Sequence, residues 1–293
     1  MSGTLPRTDG TLPRPDGPLH RPDDGLPRTA RRDAGRAPSG GGLRGAVASE
    51  WTKLWSVRSV WWCLLSGVLL MAATAGQLAI YVANGNTDDD PANDRGVLPV
   101  GRIAIDAVEL TQFAVIALAL LVITSEYANG TIRTTLQWIP SRARLLLAKT
   151  AVVAGVTFGT GVLLGGIGAA VAAPVLGEWG RFAPGETVGD VLGLAGYLAL
   201  IAVFTLGLGA ALRSAVGTLV TVFLLLAIVP TTLRLPDLGP LNAIADALPG
   251  SAGLHFLRGE SESYPAAVGL VIVLGWAVAA LLAGLAVLRR RDA

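Results

Sequence analysis

Apolar and polar positions divide this chain into long oily runs joined by polar connectors. Val60 to Ala83 holds no acidic or basic residue, and neither do Thr150 to Gly177 or Ser263 to Leu288. Each is longer than the roughly 20 residues that cross a hydrocarbon core about 30 Å thick. Val191 to Leu233 carries one charge, Arg213. As a single helix it would run about 64 Å at 1.5 Å per residue, twice the membrane. It therefore predicts two spans with a tight turn at Arg213 and Ser214. Leu110 to Ser125 has only 16 uncharged residues and makes a span only by extending back through Glu109 to about Ile105. The pattern predicts an all-α polytopic membrane protein with six transmembrane helices, at about 60–83, 105–124, 150–176, 190–212, 215–233 and 265–288.

The flanking segments differ in kind. Residues 1–42 repeat Leu5, Leu12, Leu19 and Leu26 at a seven-residue period. Pro6, Pro13 and Pro27 sit beside those leucines and would break a coiled coil, so a disordered low-complexity tail is expected. The first apolar run starts too deep for a cleaved leader. Residues 43–58 predict an amphipathic helix, with Leu43, Val47, Trp51, Leu54 and Trp55 on one face and Arg44, Ser49, Glu50, Lys53 and Ser56 turned away. Such a helix lies flat among lipid headgroups, although it could also be just the first turn leading into the first span. Between Pro240 and Pro249, Leu241, Ile244, Ala245 and Leu248 follow helical spacing, predicting a short helix that dips into the outer leaflet.

Composition agrees with a lipid solvent: 52% of residues are apolar and 15% charged, against about 25% charged in soluble domains. With the N-terminus inside, 18 of the 23 Lys and Arg fall on one side, and without residues 1–42 the ratio is still 11 to 5. The positive-inside rule then places both ends in the cytoplasm. The acidic cluster Asp88, Asp89, Asp90 and Asp94 falls outside. A single cysteine, Cys63, excludes an intrachain disulfide and a cysteine-rich metal site. The chain has no phosphate-cradling GxxxxGK[ST] segment, since neither Lys53 nor Lys149, its only lysines, has the glycines. No catalytic or metal-binding residue of its own is expected. Arginine outnumbers lysine 21 to 2, which resembles the coding bias of a GC-rich bacterium.

Several positions could carry chemistry. Asp106, Glu109 and Gln112 lie three residues apart on one broad face of span two. Asp106 falls near the outer rim and Glu109 about one turn deeper. Carboxylates there face protein or water, so these residues either line the mouth of a substrate route or are ordinary interfacial residues. Gly155, Gly159, Gly161 and Gly165 in span three allow close helix approach, within one subunit or between two. Ser251, His255 and Glu260 are the residue types of a hydrolytic triad, without a nucleophile-elbow motif.

The segment SEYANGTIRTTLQWIPSRARLLLAKT at 125–150 is the most informative connector. Gly130 and Pro140 punctuate it, Thr131 to Ile139 predicts a short helix, and Ser141 predicts the cap of the next span. It suits docking of a soluble partner, or else simply anchors topology through its basic residues.

Two runs resemble a known family. SEWTKLWSVRS at 49–59, leading into an aromatic-rich first span, looks like the start of bacterial permease subunits of ABC-2 type transporters. ITSEYANGTIRTTL at 123–136 is similar to that family's hallmark segment. The order of elements agrees over residues 43–293, with the tail outside the resemblance. It implies a dimerising permease, of like or unlike subunits, in the bacterial plasma membrane, above a separate ATP-hydrolysing subunit that binds ATP and Mg. No cofactor is bound by this chain on that reading. Its partners are the ATPase, a second permease subunit and membrane lipid, with no nucleic acid. The family's coupling helix falls on Glu126, Tyr127, Gly130, Thr131, Ile132, Arg133 and Thr134, and short re-entrant helices are implied before span six. An ion-gradient-driven secondary transporter is the alternative, followed by a membrane-embedded hydrolase. The resemblance leaves the cargo unidentified; the scarcity of buried charge favours an amphipathic one.

Overall fold

The computed structural model describes residues 42–128, 142–259 and 263–290, with backbone alone at 124–128. Almost all of this is helix. Helix α1 (Gly42–Ser56) breaks at Val57 and is followed by α2 (Arg58–Gly85). Next come α3 (Val100–Ala128), α4 (Arg142–Leu176) and α5 (Pro184–Leu212). A kinked span follows, made of α6 (Ala215–Phe223), a π turn (Leu224–Ile228) and α7 (Val229–Arg234). Two short helices, α8 (Gly239–Asp246) and α9 (Pro249–Arg258), precede the last span, α10 (Ala266–Arg290). Two-residue strands Leu98–Pro99 and Gly180–Arg181 pair in parallel and tie the connector before α3 to the one before α5.

Six of these helices are long and apolar enough to cross a membrane: α2, α3, α4, α5, the kinked α6–α7 segment and α10. The chain is therefore a multi-pass membrane protein. The turn between the fourth and fifth spans falls at Arg213 and Ser214. Arg213 takes the left-handed conformation at φ 54°, and Ser214 caps α6 by accepting from the Gly217 amide. A backbone in hydrocarbon must satisfy its own polar groups. Threonine hydroxyls do likewise: Thr157, Thr160 and Thr205 each donate to the carbonyl one turn back.

α5 is the hub. It packs against α3, α4 and α10, and Leu194, Tyr197, Leu198, Ile201 and Phe204 on it are fully buried. Two glycine approaches set its distance from its neighbours. A Cβ on Gly161 would meet the Ala195 backbone at 2.5 Å, and one on Gly207 would meet the Ala280 backbone at 2.5 Å. Of the four glycines expected to mediate packing in span three, Gly161 and Gly165 do so against α5. Gly155 and Gly159 face open space.

Two expectations are corrected. Glu50 does not turn away from the bundle, because the buried face of α1 is Ala46, Glu50 and Leu54 while Leu43 and Trp51 are exposed. In a lipid solvent the apolar face has no need to point at protein, and a charged group with a partner does. The helix before span six does not stand alone either: Pro249 starts a second helix instead of ending the first. Proline at the first helical position forfeits only an amide that lacks an intrahelical partner.

Candidate functional site

Polar side chains join neighbouring helices at both ends of the bundle. One group lies around α9. Its leading half, Pro249 to Gly253, is buried and sits among the spans on glycines. A Cβ on Gly250 would strike the Leu226 carbonyl oxygen at 2.3 Å. That carbonyl lies in the π turn, four residues before Pro230, which has no amide to offer it. A Cβ on Gly253 would come within 2.0 Å of the Tyr197 ring, and one on Gly269 within 2.6 Å of the Ala252 oxygen. α9 is thus wedged between α5, the kinked span and α10.

Charge fastens the other end of α9. Arg258, in its last turn, donates from Nε to Asp106 at 3.0 Å and from an Nη to Glu109 at 2.7 Å. Arg102 donates to the Arg258 carbonyl at 3.0 Å, with its guanidinium 3.8 Å from Asp106. Below them Gln112 is buried, accepts from the Tyr197 hydroxyl at 2.6 Å, and donates to the Glu109 carbonyl at 2.9 Å. Asp106, Glu109 and Gln112 are therefore brought together in one network. They hold α3 to α9 and α5.

A second group joins α8 to the start of α10. Asp246 accepts from Arg234 at 2.8 Å and from Ser263 at 2.6 Å. Tyr264 donates to the Asp246 carbonyl at 2.5 Å. Its one proton is used there, so the 3.1 Å contact between Tyr264 and Nδ1 of His255 has the imidazole as donor. That leaves Nε2 facing Asp246 at 3.9 Å. Burial pushes the His255 pKa down, Arg234 and Arg258 add to this, and Asp246 opposes them. Burial alone would raise the Asp246 carboxyl. Hydrogen bonds from Ser263 and Arg234, with the charges of His255 and Arg234, outweigh it and hold the group below its ordinary range. Tyr264 is pushed up to about 12 by burial and the Asp246 charge. Among the described residues, no hydrogen bond joins Ser251 to His255. Glu260, the third of the triad types, lies outside the described residues.

At the opposite end, α1 is bound to the first turns of α4. Glu50 and Lys149 meet at 2.5 Å with each side chain only 2% exposed, and Lys53 reaches the other Glu50 oxygen at 2.8 Å. Arg142, at the start of α4, donates to the Leu288 and Arg289 carbonyls near the end of α10. No local pattern announces the Glu50–Lys149 pair beyond a lysine set among apolar residues. Arg258 stands in no local pattern that would mark it as the partner of Asp106 and Glu109.

Of the residues carried over for partner coupling, Glu126 and Tyr127 fall in the last turn of α3. Gly130, Thr131, Ile132, Arg133 and Thr134 lie outside the described residues, as do the expected short helix and the Ser141 cap. No group of three or more His, Cys, Asp or Glu suited to a metal occurs among the described residues. No protein-family model matches the sequence, and no curated protein matches it.

Proposed function

We propose that the chain is the membrane-spanning permease subunit of an ABC-2 type exporter in a bacterial plasma membrane. It would have both ends in the cytoplasm and draw on ATP hydrolysed by a separate subunit. The observation that most supports this is α9. It is a helix too short to cross the membrane, buried by half its length at one end of a six-span bundle and held there by Arg258. An exporter driven from the cytoplasm needs a barrier at its far end that can be unseated without unfolding a span. A glycine-bedded helix with a charged clasp meets that need, because its packing is shallow and its polar contacts can be exchanged for water. At the α1 end, Arg142 and Lys149 brace the start of α4, which follows the segment that resembles the coupling helix. A push there would be passed to α1 and α10 together. The cargo on this reading is amphipathic, and the working unit is a dimer, each half carrying one ATPase.

The test is co-purification. Glu126→Arg or Arg133→Glu should abolish recovery of the partner ATPase while leaving membrane insertion intact. Normal recovery with both variants would remove the interface. The rival secondary transporter needs ionisable groups near the membrane midplane, whereas Asp106 and Glu109 are paired near the end of the bundle. It predicts that a protonophore stops export in cells whose ATP is maintained. The hydrolase rival requires that His255→Ala be inactive.

A further inference from the structure

The whole chain contains two lysines, and both converge on Glu50. Lys149 takes one carboxylate oxygen at 2.5 Å and Lys53 the other at 2.8 Å. Lys149 and Glu50 are among the most deeply buried polar side chains of the described residues. We infer that Glu50 and Lys149 are the positioning pair that fixes where α1 sits on the bundle, by charge rather than by apolar packing.

The reason lies in the solvent. In water an apolar helix face is driven onto the protein, but lipid tails are as apolar as leucine, so burying that face selects no particular seat. α1 shows how little apolar packing holds it. Among its apolar residues only Ala46 and Leu54 are buried, Val47 and Trp55 pack half-buried beside Leu54, and Trp51 is 50% exposed. Sliding or rolling α1 across the bundle would exchange one apolar contact for another at little cost. Among the described contacts of α1, Glu50 with Lys149 is the least exchangeable, since each side chain is 2% exposed and drawing a charged pair apart in an apolar surrounding is strongly unfavourable. Buried polar pairs have this register-setting role elsewhere, at the expense of stability. A lysine suits it, because a compact ammonium can close on one oxygen while leaving the second to Lys53. The inference does not rest on the transport reading, and its test involves no ATPase.

The lone cysteine provides the reporter. Cys63 on α2 is half-buried and packs on the cluster formed by Leu54 of α1, Val60, Leu118, Val152 and Val156. Its reaction with N-ethylmaleimide, in the purified full chain reconstituted in phosphatidylcholine and phosphatidylglycerol vesicles, reports whether α1 is seated. In the double variant E50M/K149M the charges are replaced by apolar groups of similar length. It should keep its melting temperature yet label Cys63 roughly fivefold faster or more, the population shift expected from one lost discriminating contact. Inverting all three charges, E50K/K53E/K149E, should return labelling to the wild-type rate. Wild-type labelling by the methionine pair overturns the inference. So does a methionine pair that melts lower, which would make the ion pair a stabiliser, and so does an inverted triad that labels as fast as the methionine pair.

Discussion

Arg258 draws Asp106 and Glu109, three residues apart on one helix, onto a single guanidinium, and Arg258→Ala would leave two neighbouring carboxylates facing each other. These side chains are about a third to half exposed, so solvent limits the loss to about 1 kcal/mol. The expected readout is a melting temperature a few degrees lower in detergent, with partial recovery in Arg258→Ala/Glu109→Gln. Arg258→Lys should recover little, because an ammonium cannot reproduce the fork. His255 gives a pH dependence of known sign. Its folded pKa lies below the ordinary 6.5, so the unfolded chain binds the extra proton first. The contribution of the neutral ring is then complete above 6.5 and declines as pH falls from there through the folded value. Asp246, also lowered, loses its contribution only as pH falls below 3.8 and on through its folded value. Melting measured at about pH 7.5 and about pH 5.5 should show a drop in wild type that is smaller in His255→Gln. An equal drop in both would remove His255 as the cause.

At the scale of elements, the informative feature is α9, a helix seated on glycines. Gly253→Val puts a branched side chain where a Cβ already comes within 2.0 Å of Tyr197. It should destabilise by about 1–3 kcal/mol, or unseat α9. Gly155→Ala, facing open space, is the control and should be close to neutral. Limited proteolysis between α8 and α10 would separate the outcomes, since an unseated α9 exposes its flanking connectors. The sequence made α8 legible because its apolar residues follow helical spacing. It hid α9, whose buried side is Gly250, Ser251, Ala252 and Gly253 and has no hydrophobic stripe to find. The burial of Glu50 was hidden for a related reason: its partner lies 99 residues away, and a carboxylate on an amphipathic pattern reads as solvent-facing until that partner is placed.

For the whole molecule, the charge distribution along the chain and the alternation of six spans predict which end meets the cytoplasm. In a Cys63→Ser background, Ser141→Cys should react with an impermeant thiol reagent only after cells are opened. Asp89→Cys should react in intact cells. Labelling of position 141 from outside would invert the molecule and exchange the proposed roles of its two ends. The same arrangement explains why α2, the kinked α6–α7 span and α10 carry so many exposed apolar residues, among them Trp61, Trp62, Leu69, Val216 and Leu282. Side chains that would be a liability in water are in a solvent of their own kind.

What the chain determines by itself is the number of spans and the turn at Arg213 and Ser214. Both follow from a one-dimensional count of uncharged residues against the thickness of a membrane, and that count needs no neighbour. What only the tertiary structure decided is which polar groups are partnered and which short helix is buried. Arg258 finds Asp106 and Glu109, Lys149 finds Glu50, and Gly253 finds Tyr197 across distances in sequence that no local pattern spans. In lipid these few contacts, rather than the abundant apolar ones, distinguish one packing of the helices from another.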